Sequence, residues 1–177
     1  GWEEWGTDLP SKLLGMFAFA IWDGRDGGLI SGGQEDGTLF LARDRSGQKP
    51  LFYASLEDGL AFGSTIPSLL AWPEVPRRAP REQIGTYLLL GYFPGAQTVY
   101  RDVSQVLPGA WVRLRNDVLD GRVYWKGMGE SGPEKEALKN PRQYLRNEME
   151  RAVASQLVAD VPIACFLSGG IDSSIVA

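Results

Sequence analysis

Residues 166–174 read FLSGGIDSS, and the order of these side chains suits the binding of a phosphate. An anion at a helix N-terminus is held by backbone N–H groups that lack intrahelical acceptors, and the helix dipole favours its charge. Gly169 and Gly170 clear side chains from the approach and admit positive φ angles. Ser168, Ser173 and Ser174 add hydroxyl donors. Asp172 would repel a bare phosphate, so its place in the group fits a ligand for Mg²⁺ that the phosphates share. No lysine stands in the turn, which separates it from the pattern in which Gly-Lys-Ser/Thr clamps a terminal phosphate. Two glycines alone would be read as an ordinary strand-to-helix turn. Ser168, both glycines, Asp172 and the hydroxyl pair together, in one strand–turn–helix frame, favour phosphate.

Little else in the chain can do chemistry. The 177 residues contain no histidine and one cysteine, Cys165. Ser-His-Asp and Cys-His catalysis, His-ligated metals, internal disulfides and cysteine-rich zinc sites are thereby excluded from this segment. Cys165 lies mid-strand in the pattern and is expected to be a buried structural residue. Apolar residues make up 44% and charged residues 23%, with a net charge of −4, which is ordinary for a globular chain and points to neither nucleic acid nor membrane as a partner. No apolar run reaches the roughly 18 residues that span a bilayer. The opening GWEEWGTDLP lacks the basic start and apolar stretch of a signal peptide, so the expected location is cytoplasmic. Because the chain starts at Gly1 and stops three residues after the serine pair, it is expected to be an internal piece of a longer enzyme.

The elements that must position the loop can be read from periodicity. Asp8 is placed to cap a short helix that Gly15 ends. MFAFAIWD (16–23) reads as a buried strand, followed by a Gly/Asp-rich turn over 24–37. TLFLARD (38–44), PLFYAS (50–55) and LAFGS (60–64) read as three more strands in one antiparallel meander. Their aromatics Phe17, Phe19, Trp22, Phe40, Phe52, Tyr53 and Phe62 are assigned to the core. ARDRSGQKP (42–50) reads as a solvated, salt-bridged hairpin, or else as part of a domain interface. Ser64 is expected to cap a short helix to about Ala71. A Pro-rich connection then leads to a helix over 81–90 stopped by Gly91. TVY and GAWVRLRN look strand-like around the turn LPG. Residues 124–140 read as a linker. Asn140, Pro141 and Gln143 mark the start of a helix whose Leu145, Met149, Val153 and Leu157 form one stripe. IACFL then reads as the strand that feeds the loop, and DSSIVA as the first turn of the next helix.

SGGIDSS preceded by DVPIACFL resembles the pyrophosphate-binding loop of glutamine-hydrolysing asparagine synthetases. GMFAFAIWD, LFLARDRSGQKPLFYA, LAFGSTIPSLLA, YLLLGYFPGAQTVYRDV, LPGAWVRL and YW occur in that family's order and spacing, so the resemblance covers nearly the whole chain. It implies an α+β/α/β fold. Residues 1–123 would be the C-terminal part of an Ntn-type glutaminase domain, with helices on β-sheet layers. Residues 124–140 would be the linker, and 141–177 the first strand, loop and helix of an ATP-pyrophosphatase domain. It implies ATP and Mg²⁺ as cofactors, with glutamine and aspartate as further substrates. Aspartate's carboxylate would attack the α-phosphate, and ammonia released from glutamine would displace AMP from the β-aspartyl-adenylate. Leu167, Ser168, Gly169, Gly170, Asp172, Ser173 and Ser174 would hold the nucleotide's phosphates, with Asp172 on the metal. The family's catalytic cysteine is N-terminal, so no catalytic residue is expected in this segment and the isolated chain is expected to be inactive. A homodimer of the full-length protein is a further implication. The alternatives are a ring-forming relative of the β-lactam or lasso-peptide type, and a non-catalytic interaction module.

Overall fold

The computed structural model describes residues 1–25, 37–57, 59–127, 137 and 139–177. The expected 24–37 turn therefore lies mostly outside the described residues, as does much of the expected linker. The chain divides into two compact units, residues 1–127 and 128–177.

Among the described residues of the first unit, α1 (Trp2–Trp5), a 3₁₀ turn (Gly6–Asp8) and α2 (Leu9–Lys12) precede seven strands. These are β1 (Ala18–Asp23), β2 (Thr38–Arg43), β3 (Phe52–Leu56), β4 (Gly59–Gly63), β5 (Ser104–Gln105), β6 (Ala110–Arg115) and β7 (Val118–Val123). Between β4 and β5 lie α3 (Ile66–Leu70) and α4 (Arg81–Leu90). The expected single meander is replaced by two antiparallel sheets, ordered β1-β2-β6-β7 and β4-β3-β5. The RSGQK connection does not join neighbours. It carries the chain from the first sheet to the second.

Residues of both sheets share one core. Leu39 and Leu41 of β2, with Ala110 of β6, pack with Leu51 and Val106 beside the second sheet. Alternate residues of β2, Phe40 and Ala42, face the other way and join Trp111, with Trp2, Phe19, Ile21 and Tyr124 against them. On the far side of the second sheet, Ala54 and Val103 pack with Leu69 of α3 and Val75. The order across the unit is therefore helix, sheet, sheet, helix. β2 is covered on both faces, which is why all six of its residues are buried. Each large apolar side chain removed from water here contributes about 1.5–3 kcal/mol.

The structure alters several local expectations. Asp8 occupies the position before α2, but its side chain caps nothing. Thr65, not Ser64, caps α3, its Oγ1 accepting from the Ser68 amide at 3.3 Å. TVY forms no strand. Its neighbours Ser104 and Gln105 pair with β3 instead. Strand β7 was not expected. Its hairpin with β6 turns on Asn116 and Asp117, both at positive φ (48° and 57°), the geometry that Asn and Asp tolerate best in tight turns. Trp22 and Phe62 are half-exposed (57% and 46%), because β1 and β4 are the outer strands of their sheets. Tyr124 is anchored in the first unit, its hydroxyl donating to the Arg43 carbonyl at 2.7 Å. Burial pushes its phenol up to about 12.

The largest departure is at ARDRSGQKP. Arg43 and Asp44 are buried and do not form the expected surface ion pairs. The Asp44 carboxylate accepts from the amides of Gln48 and Lys49, both at 2.9 Å. The Arg43 guanidinium donates to the carbonyls of Lys49 (2.8 Å), Gly47 (2.7 Å) and Val106 (2.8 Å), and to Gln105 Oε1 (3.3 Å). Gly47 has φ +67°, and a Cβ there would lie 2.8 Å from Pro108 Cγ and 3.1 Å from Arg43 Cζ.

The second unit contains α5 (Pro141–Gln156) and α6 (Ile171–Val176). Asn140 accepts from the Gln143 amide at 3.3 Å and Pro141 opens α5, as the sequence indicates. The expected strand at IACFL is not formed: residues 162–168 run outside any helix or strand. A strand exists only by pairing, and among the described residues no segment pairs with this one. Cys165 is consequently exposed rather than buried.

Burial alone would raise the Asp44 pKa, but the amides of Lys49 and Gln48 outweigh it and the carboxyl titrates below its ordinary value. Its contribution to stability is full above the unfolded-state pKa, near about 4, and disappears as pH falls through the lower folded value. Asp44→Asn should cost about 1–3 kcal/mol at pH 7, and denaturant titrations from neutral pH down to about pH 3 should show a flatter acid limb than in the parent chain. Gly47→Ala should cost about 1–3 kcal/mol through left-handed strain and contact with Pro108, measurable as a lower urea midpoint at an unchanged slope.

Candidate functional site

The loop residues sit at the start of α6. Gly170 is the residue before the helix and no side chain caps it, so the amides of the first turn are left to an external acceptor. Gly169 adopts φ +79°, and a Cβ built there meets nothing within 4 Å. Glycine is required by the backbone conformation and leaves open space on the approach. At Gly170 a Cβ would meet only Ser168 Oγ (3.6 Å) and Ser173 Oγ (3.9 Å).

The three hydroxyls are tied together. Ser168 Oγ and Ser173 Oγ are 3.0 Å apart. Ser173 Oγ and Ser174 Oγ donate to the Gly170 carbonyl at 3.1 and 2.8 Å, and the Ser174 amide donates to the same oxygen at 3.1 Å. The hydroxyls thus brace the turn from within, and a phosphate would have to draw them outward by rotation about χ1. Asp172 lies in the first turn of α6 and is exposed. Leu167 stands directly before the loop, 64% exposed. Among the described residues no group of three or more His, Cys, Asp or Glu is placed to hold a metal ion, so Asp172 is a single carboxylate beside the amides. The donor set nevertheless fits a phosphate–metal pair. It combines free-facing helix amides, three hydroxyls, two glycines that meet no atom but the serine hydroxyls, and one carboxylate.

The apolar stripe of α5 lines an open groove of about 710 Å³ in the same unit, together with Ile175 and Val176 of α6. Leu145 and Leu157 remain 59% and 55% exposed. No helix among the described residues is long and apolar enough to cross a membrane. The buried corner at Arg43 and Asp44 was missed as a structural feature. Its signal was present in the sequence as an Arg-Asp pair ending the apolar run LFLA of β2, where water-facing charges have no room.

Two antiparallel sheets with helices, followed by a separate unit in which a capped helix precedes a Ser-Gly-Gly turn, make a mixed α/β chain of a kind consistent with a glutaminase domain. The family model for the glutamine amidotransferase domain matches residues 1–125, more than half of the 177, and the chain belongs to that family. A second model, for asparagine synthase, matches residues 144–177. Among curated relatives, asparagine synthetase [glutamine-hydrolyzing] 3 of Bacillus subtilis is 34% identical over 97% of this chain and 26% of its own length. The putative asparagine synthetase [glutamine-hydrolyzing] of Mycobacterium tuberculosis is 33% identical over 100% of this chain and 26% of its own. Amidase chyE of Penicillium rubens is 33% identical over 99% of this chain and 25% of its own. The chain spans about a quarter of the length of these relatives.

Proposed function

We propose that the protein carrying this chain is a glutamine-dependent, ATP-consuming ligase that converts aspartate to asparagine. The observation that carries the reading is the succession of two family matches along one chain, a glutamine amidotransferase domain and then the start of an asparagine synthase domain. Relatives named glutamine-hydrolysing asparagine synthetases align through both. The reading places an Ntn-type glutaminase domain up to about residue 123, a linker over 124–140, and an ATP-pyrophosphatase domain from 141. The cytoplasmic location and a homodimeric full-length enzyme belong to it as well. The amidase names among the relatives favour amide chemistry in general, and the product formed from aspartate separates them from a synthetase.

In this reading Ser168, Gly169 and Gly170, with Ser173 and Ser174, take the pyrophosphate of ATP at the uncapped start of α6. The amides supply the fixed donors, and the hydroxyls turn out from the Gly170 carbonyl to add theirs. Leu167 lies against the nucleotide. Asp172 would hold Mg²⁺, which neutralises charge on the leaving pyrophosphate when bound. Asp172 acts by presenting a carboxylate one residue into the helix, where it reaches a cation on the phosphates without displacing the amides from them.

The full-length protein should release pyrophosphate only when both aspartate and ATP are present, and should make asparagine. Asp172→Asn should lower that release about 100-fold and change glutamate formation from glutamine less than about twofold, because the two reactions belong to different units. Equal loss of both activities, or unchanged pyrophosphate release, would refute the assignment of the loop. Gly169→Ala, which forces a Cβ onto a left-handed residue, should raise the KM for ATP and leave the KM for glutamine unchanged.

A further inference from the structure

A polar crevice of about 330 Å³ opens between α2 and β7 in the first unit, with Trp111 of β6 among its walls. Lys12 closes α2 on one side, and Arg122 of β7 stands on the other. Among the described residues neither has an ion pair or a side-chain hydrogen bond. On the same pair of strands Arg113 is differently placed, holding both oxygens of Asp120 at 3.0 and 2.7 Å. Asp8 also lines the crevice, and among the described residues its carboxylate likewise accepts no hydrogen bond, although it closes the 3₁₀ turn and stands directly before α2. Three charges, two positive and one negative, thus face one small space without neutralising one another.

The walls are held in place. Arg45 Nη2 donates to the Ser11 carbonyl at 3.2 Å, tying α2 to the end of β2, and Arg45 Nε is buried with no acceptor, which adds positive potential behind the wall. Trp111 is only 7% exposed and belongs to the core beneath. Val123 contributes an apolar edge, and Thr7 a hydroxyl. The volume lies at the small end of ligand sites, which run from about 300 to 1,000 Å³, and suits a compound of few heavy atoms.

We propose that this crevice binds a dicarboxylic α-amino acid, with its two carboxylates on Lys12 and Arg122 and its ammonium on Asp8. The matching is by count and sign. Two carboxylates and one ammonium complement two cations and one carboxylate. Inorganic phosphate or a simple dicarboxylate leaves Asp8 facing a like charge, and a neutral amino acid leaves one cation unpaired. Arg122 supplies a planar fork suited to a carboxylate, and Trp111 and Val123 receive the methylenes. The assignment rests on the crevice alone, so a failure of nucleotide binding at residues 168–174 would leave it standing.

The test is calorimetric titration of the chain with L-glutamate, L-aspartate, succinate, L-alanine and inorganic phosphate at low ionic strength, with thermal melting in parallel. One of the two acidic amino acids should bind more tightly than succinate, alanine or phosphate, and should raise the melting temperature. Arg122→Gln and Lys12→Gln should each weaken that binding about tenfold. Asp8→Asn should weaken the amino acid and not succinate. All three residues are exposed, so the variants should fold, and melting of the unliganded variants checks this. Equal, weak affinity for every anion would show a diffusely basic rim and overturn the proposal. So would binding that the three substitutions leave unchanged, or no binding at all.

Discussion

The first unit depends on how the chain leaves one sheet and enters the other. At the end of β2 two ionisable side chains are buried side by side, and neither uses the other as its main partner. Asp44 takes the amides of Gln48 and Lys49, closing the connection upon itself. Arg43 reaches the carbonyls of Gly47, Lys49 and Val106, joining β2 to the strands of the second sheet. A buried charge without partners costs several kcal/mol. Here each charge is satisfied by backbone dipoles that the turn would otherwise leave orphaned. The turn needs the charges as much as the charges need the turn. Gly47 and Pro108 fit around the guanidinium, and Gly109 donates to the Asp44 carbonyl at 2.8 Å, so the LPG turn closes over the same corner.

What the sequence made legible was local. The apolar runs became β1 to β4. Gly91 ends α4 in the left-handed conformation, its amide on the Tyr87 carbonyl at 2.7 Å, and Asn140 with Pro141 starts α5. The partition of the strands into two sheets was not legible, because pairing β2 with β6 is a contact some 70 residues apart in the chain, and no local pattern records it. The pair Asn116–Asp117 was a local signal for a hairpin that went unread, since Leu119 alternating with Asp120 and Gly121 made a weak apolar strand. In the loop the residues were legible and their tying together was not. Which hydroxyl braces the turn depends on rotamers, not on order in the chain.

The two units are unlike in what holds them. The first has three buried clusters and a corner of satisfied charges. The second has a capped helix, a braced turn and a groove whose apolar walls are open, with Ile163, Leu167 and Ile171 all at least half exposed. Its longer helix is specified by the Asn140 cap and its turn by three serines and two glycines, so the loop has its own shape without support from a sheet. That separation gives the chemistry attributed to the loop and the packing of the sandwich independent physical origins.

Arg43 has one more consequence, and it concerns dissolved ions. Pairs such as Arg78–Asp102 and Arg151–Glu148 lie near the surface, where salt at about 1 M shortens the reach of charge to about 3 Å. The guanidinium at the corner is buried and leans on carbonyl dipoles at hydrogen-bond distance, where mobile ions have no access. Concentrated salt should therefore strip the surface of its electrostatic ornament and leave the joint between the sheets untouched, so that brine distinguishes the contacts that organise the fold from those that only decorate it.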